Sequence, residues 1–129
     1  MFPESHQDLL SDKKRALGYL ATVMPDGSPQ LTPVWFSYEN GELKINTKRG
    51  RVKEKNMSAR PQVALVIQAP GDTLRFLQIR GAATSAIEDG AVEHIESLSQ
   101  KYDGKPFRSL YPNEVRVMFT IEPSSISTD

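Results

Sequence analysis

The feature that most constrains this chain is two-residue alternation cut by sharp turns. Leu17, Tyr19, Ala21 and Val23 alternate with smaller or more polar neighbours, as a half-buried strand does. Pro25-Asp26-Gly27 follows, with proline preset for the first corner of a turn and glycine free to take a positive φ. A second strand is expected from about Pro29 to Tyr38, which makes the pair a hairpin. Glu39-Asn40-Gly41 is the next turn, and Asn-Gly is a strong hairpin signal. A third strand, Glu42 to Asn46, leaves it. Val63 to Ile67 is dense in β-branched residues and reads as a central strand. Leu74 to Ile87 is a longer strand region, with Gly81 marking a candidate bulge. Glu114 to Ile121 puts Val115, Val117, Phe119 and Ile121 on one face as the last strand, and Pro123 with a Ser/Thr tail closes the chain.

Helical signals are few and short. Ser5 can cap a turn of helix running to about Ser11, with Leu9 and Leu10 turned inward. Val52 to Ala59 is helix-compatible and must end before Pro61. Asp89 can cap a later helix on which Val92, Ile95, Leu98 and Tyr102 form an apolar stripe. Asp103 to Pro112 reads as a surface loop. The expected architecture is mainly β with α: a six-stranded antiparallel split barrel flanked by short helices, in one domain over residues 1–129. The helices do not alternate strictly with strands, so a doubly wound parallel sheet is disfavoured.

Charge limits the function. The chain has 16 basic and 16 acidic residues and a formal net charge of zero. That balance argues against a general nucleic-acid or membrane-surface binder. There is no cysteine, which removes disulfides, thiol nucleophiles and thiolate metal sites. No apolar run is long enough to span a bilayer and the N-terminus lacks a signal-peptide core, so a cytoplasmic protein is expected. His6 and His94 stand alone without ligand spacing, His94 reading as a surface histidine, and no metal site is proposed.

Against this neutral background, Asn46-Thr47-Lys48-Arg49-Gly50-Arg51-Val52-Lys53-Glu54-Lys55-Asn56 stands out. A strand runs in, a helix runs out, and between them lie a hydroxyl, a glycine and several basic residues. The first N–H groups of such a helix, with its positive dipole end, favour an anion. Arginine adds a fork for phosphate oxygens and lysine a point charge. The segment reads as a phosphate clamp for a small cofactor, with a solvated basic face as the competing reading. It matches neither a Walker loop nor a dinucleotide fingerprint.

Several motifs together resemble a known family. Leu20-Ala21-Thr22-Val23, Asp26-Gly27 and Thr32-Pro33-Val34-Trp35-Phe36 resemble the opening of split-barrel flavin proteins. Asn46-Thr47 with Arg49, Arg51, Lys53 and Asn56 is similar to their cofactor-phosphate segment. Ile79-Arg80-Gly81 resembles the strand opposite, and Glu114-Val115-Arg116-Val117 with Ile121-Glu122-Pro123 the closing strand. The family is the pyridoxamine-phosphate-oxidase-like split barrel, and the likeness is to its short branch of deazaflavin- or FMN-dependent oxidoreductases. The resemblance implies a homodimer with two clefts at the subunit interface. Each cleft would hold coenzyme F-420 or FMN, with the phosphate on one chain and the ring partly on the other. One departure matters. Pyridoxamine-phosphate oxidases proper carry an Arg-x-His element near the C-terminus, and Val115 to Phe119 contains no histidine.

The resemblance gives the candidate cofactor-binding residues. Arg51 and Lys53 come first, with Asn46, Thr47, Arg49 and Asn56 beside them. Pro33, Val34 and Trp35 would face the tricyclic ring, although Trp35 equally suits core or interface packing. Asn56 equally suits a helix-surface amide. Arg80 would reach the partner chain's cofactor or else lie on a solvated or carboxylate-paired face; Arg116 is a weaker candidate of the same kind. No catalytic residue is named, since no acid–base pair stands out. The expected activity is hydride transfer from the reduced cofactor to a small unsaturated substrate; the alternative is a non-catalytic flavin or haem carrier.

Overall fold

A computed structural model describes residues 1–128. A 3-10 helix, Glu4–Leu10, precedes strands β1 (Leu17–Val23), β2 (Pro29–Val34), β3 (Phe36–Glu39) and β4 (Glu42–Lys48). Helix α1 (Val52–Ala59) leads to β5 (Gln62–Gln68) and β6 (Phe76–Ile87). Helix α2 (Ala91–Asp103) and β7 (Arg116–Ser127) complete the chain.

The seven strands form one sheet in the order β2-β1-β5-β6-β7-β4-β3, every pairing antiparallel. This order carries the main architectural argument. β2 and β3 lie at opposite edges, yet only Trp35 separates them in sequence. Residues two apart sit within about 7 Å along the chain. In a flat sheet of seven strands the edges would be about 29 Å apart. The sheet therefore curls until its edges meet, and Trp35 is the joint at the seam. This is a split barrel, mainly β with short helices. It has seven strands where the sequence suggested six, because the expected second strand breaks at Trp35 and its halves join different edges.

Alternation fills the interior. β1, β4 and β5 each bury every second residue, and Leu20, Leu43, Ile45, Leu65 and Ile67 are fully buried with Phe36, Ile79, Phe119 and Ile121. The β3–β4 turn has Asn40 at φ 53° and Gly41 at φ 77°, the paired positive values of a tight hairpin. The β6–β7 register shifts between Arg80 and Gly81, so the bulge anticipated at Gly81 is present. A Cβ on Gly81 would lie 2.1 Å from the Glu122 carbonyl oxygen, so no other residue fits. Pro123 lies opposite Gly81 at this interruption, and β7 continues through it to Ser127 rather than stopping. A proline is tolerated where the ladder is already broken.

The helix starts differ from the sequence reading. The 3-10 helix starts after Pro3, and the Ser5 hydroxyl instead meets Nδ1 of His6. Gly90, not Asp89, occupies the N-cap of α2. Ala91, Ile95, Leu98 and Ser99 form the buried face of α2, which packs on β7 and β4, and Val92 is exposed. Val115 lies outside the last strand and is exposed, while Val117, Phe119 and Ile121 are buried as expected. No helix among the described residues is long and apolar enough to cross a membrane.

Candidate functional site

At the barrel seam lies a cleft of about 510 Å³. β2 and the joint supply Pro33, Val34 and Trp35; β4 supplies Asn46 and Thr47; the start of α1 supplies Arg51 and Lys53. Strand β7 adds Arg116, and the connection between α2 and β7 adds Phe107 and Arg108.

The strand, turn and helix of the basic segment form as the sequence suggests. Arg51 is the N-cap residue of α1, and Pro61 stops the helix after Arg60. Glu54 reaches back to accept the Gly50 N–H at 2.8 Å and the Ser58 hydroxyl at 2.8 Å. Its Oε2 also lies 3.4 Å from Nη1 of Arg49. Burial alone would raise the Glu54 pKa, but the Gly50 and Ser58 hydrogen bonds and Arg49 outweigh it, and the net shift is downward. Glu54 thus spends its charge on the turn and on Arg49. The side chains of Arg51 and Lys53 have no hydrogen-bond or ion-pair partner among the described residues. The Lys53 ammonium is pushed below its ordinary pKa by burial first, then by Arg51 and Arg116. Such a site gains when an anion enters, because the anion relieves the repulsion.

The other two arginines are held. Glu114 accepts from Nη1 and Nη2 of Arg108 at 2.9 and 3.1 Å, from Nη1 of Arg116 at 2.9 Å and from the Tyr111 N–H at 2.8 Å. The Arg108 hydrogen bond leads these in pulling Glu114 down to about 2. Arg108 also lies over the rings of Phe107 and Tyr111, and Arg116 over Phe107. Four cations against one carboxylate leave the cleft strongly positive in a chain that is neutral overall.

The apolar wall is Trp35, stacked on Tyr102 of α2 with centroids 5.3 Å apart and planes 8° from parallel. Tyr102 is anchored in turn: its hydroxyl donates to the Ala16 carbonyl at 2.8 Å and faces the Phe36 N–H at 3.4 Å. Burial raises its pKa to about 12.

Of the residues singled out from sequence, Pro33, Val34, Trp35, Asn46, Thr47, Arg51 and Lys53 meet in this cleft. Arg49, Asn56 and Arg80 do not line it. Arg49 pairs with Glu88 at 2.9 Å as well as Glu54. Asn56 is neither exposed nor in the cleft. It is 2% exposed and donates to the Thr22 hydroxyl at 3.0 Å, while Arg60 Nη2 donates to its Oδ1 at 3.1 Å, which ties α1 to β1. Arg80 is exposed on β6, 3.4 Å from the Ser125 hydroxyl. His94 is not the isolated surface residue expected: its ring is part-buried between Ser37 and Asn46. Phe107 and Arg108 were missed. Their one sequence signal was an aromatic–arginine pair just before an arginine-bearing strand.

Solved structures give the wider context. An F420 reductase superposes with a TM-score of 0.86 at 30% identity, over 98% of each chain. A conserved hypothetical protein from Mycobacterium tuberculosis gives a TM-score of 0.73 at 27% identity, over 98% of this chain and 83% of that one. HutZ, the haem storage protein of Vibrio cholerae, gives 0.69 at 16% identity, over 99% and 95%, a likeness of fold alone. Residues 2–128 match the family model described as pyridoxamine 5'-phosphate oxidase, and the chain belongs to that family.

Proposed function

We propose that this protein is a cytoplasmic, homodimeric oxidoreductase. It binds reduced coenzyme F-420 or FMN in the seam cleft and passes hydride to a small unsaturated substrate. The observation that carries this reading is the meeting, in one cleft, of the unpartnered cations Arg51 and Lys53 with the Trp35 wall. A flavin-type cofactor needs that pairing, a cationic seat for phosphate beside an apolar face for a tricyclic ring. Thr47 and Asn46 add polar contacts at the same rim. The hydride chemistry belongs to the cofactor, and the chain's part is to hold it and exclude water. The 30%-identical F420 reductase supports the deazaflavin arm.

Read from sequence, the additional Lys48, Arg49 and Lys55 lean toward deazaflavin, whose tail is longer and more acidic. Lys48, Arg49 and Lys55 do not line the cleft, whereas Arg108 and Arg116 do. Those two arginines now supply the extra charge that a longer, more acidic tail would use. Family membership does not carry the reaction in the family's name. With no histidine in Val115 to Phe119, pyridoxamine phosphate is not expected to be oxidised.

The dimer fits one feature of the surface. The outer face of β2-β1-β5-β6 carries Tyr19, Ala21, Leu31, Ala64 and Val66 in a shallow hollow, and Leu31 is 68% exposed. A second copy seated there by two-fold symmetry would cover it. Arg80 pairs in register with Ala64 beside this face and lies outside its own chain's cleft, so on this reading it would serve the partner's cofactor.

A carrier without turnover remains the second reading, favoured by one observation: among the described residues, no carboxylate, histidine or tyrosine lines the cleft to donate a proton. Titrating the cofactor-free protein with each cofactor, read by ring fluorescence, tests binding. Oxidation of the reduced cofactor by an activated alkene then separates enzyme from carrier. Failure of both cofactors to bind at micromolar concentration would end both readings.

A further inference from the structure

We infer that His94 is a positioning residue for the anion site, acting from α2 through the Asn46 side chain on Arg116. The inference rests on the anion-binding reading of the cleft for its meaning, and on hydrogen-bond directions for its content.

The directions are fixed by chemistry. Arg116 Nε can only donate, and it lies 3.0 Å from Oδ1 of Asn46. The Ala91 carbonyl can only accept, and Nδ2 of Asn46 lies 2.9 Å from it. The amide therefore has one orientation. Its second N–H points at Nδ1 of His94, 3.0 Å away. Nδ1 must then be the bare nitrogen, and the ring proton sits on Nε2, donating to the Ser37 hydroxyl at 2.8 Å. Burial, and after it the charge of Lys44 on β4, lowers the ring's pKa to about 4, which keeps it neutral. Glu39, Glu42 and Glu93 share a shallow hollow with Lys44 and His94.

Ser37, His94 and Asn46 have the spacing of a hydrolytic triad, but the bonds run the wrong way. A serine nucleophile needs Nε2 bare to take its proton, and here Nε2 carries the proton. What the row does instead is orient. Pinned by Ala91 and His94, Asn46 offers Oδ1 to Arg116, while Glu114 takes Nη1. Two of the five guanidinium donors are thereby used, and the others are left for a ligand in the cleft. Arg116 is held as a fork rather than a loose charge.

Nitrogen-15 NMR of the histidine rings at neutral pH tests the first half. The expected signature for His94 is a neutral ring protonated on Nε2; a ring protonated on Nδ1, or an imidazolium, overturns the inference. The Arg116 Nε–H signal tests the second half. His94→Ala should speed exchange of that proton with water by about tenfold, the scale of one lost hydrogen bond. His94→Gln, whose amide oxygen can accept from Asn46, should restore most of the protection. Unchanged exchange in His94→Ala, or equal loss in both variants, overturns the positioning role. Neither measurement uses a cofactor, so these outcomes stay separate from failure of the cofactor reading. If FMN does bind, His94→Ala should weaken it, and in an Arg116→Ala background the same change should add nothing.

Discussion

Among the described residues, Arg51 and Lys53 at the start of α1 have no partner for their charge, whereas Arg108 and Arg116 share Glu114. Both pairs face one cleft. The free pair leaves positive charge that a bound anion would neutralise. The held pair is already satisfied and so does structural work as well, fastening the connection between α2 and β7 to the barrel. Within one cleft, then, Arg51 and Lys53 keep their whole charge for a ligand, while Arg108 and Arg116 spend part of theirs on the fold. The two should separate by experiment.

The largest effect is expected from Glu114→Ala. Its side chain is only 1% exposed, and its loss takes a carboxylate away from the buried Arg116 guanidinium. Denaturant unfolding should show a loss of about 3–5 kcal/mol. Affinity for FMN should change much less, because no cation is lost and Asn46 still holds Arg116. Next come Arg51→Ala and Lys53→Ala, with the opposite profile. Cofactor affinity should drop roughly tenfold to a hundredfold for each, as loss of a charge-assisted contact implies, and unfolding should hardly change. If both sets of variants shift stability and affinity alike, the division is wrong.

Acid provides a smaller test. With its pKa held near 2 against an ordinary 4.5, Glu114 stabilises the fold above 4.5, and that contribution is lost as pH falls through about 2. The stabilities of the parent and of Glu114→Gln should therefore converge over that window. Smaller again is salt. The affinity difference between the parent and Lys53→Ala should shrink as ionic strength rises, since the cleft is partly open. The smallest effect, none, belongs to Lys55→Ala on the exposed side of α1. Lys101, which seems remote in sequence, is no such control: it is 3% exposed and donates to the Phe36 carbonyl at 2.8 Å.

Periodicity and turn chemistry made most of the barrel legible, since each strand announces itself by its own alternation. The break at Trp35 was not legible, because an aromatic residue between two extended runs looks the same whether the strand continues or changes edges. The end of β7 was misread because Pro123 is a strand breaker only where it faces an intact ladder; opposite Gly81 it does not. Of the basic segment, Asn46, Thr47, Arg51 and Lys53 line the cleft, and Arg49 and Asn56 do not. Arg108 was not legible, since what brings it to the cleft is a shared carboxylate, a tertiary fact. Asn56 looked like a surface amide because helix phase alone does not reveal that Thr22 and Arg60 bracket it.

Trp35 is the chain's single tryptophan, and it stands in the cleft wall. Its ultraviolet emission therefore comes from one known place. A flavin or deazaflavin ring absorbs where indole emits, so a bound cofactor would drain that emission by energy transfer. The protein carries its own optical reporter, and occupancy of the cleft can be followed in real time with no label attached.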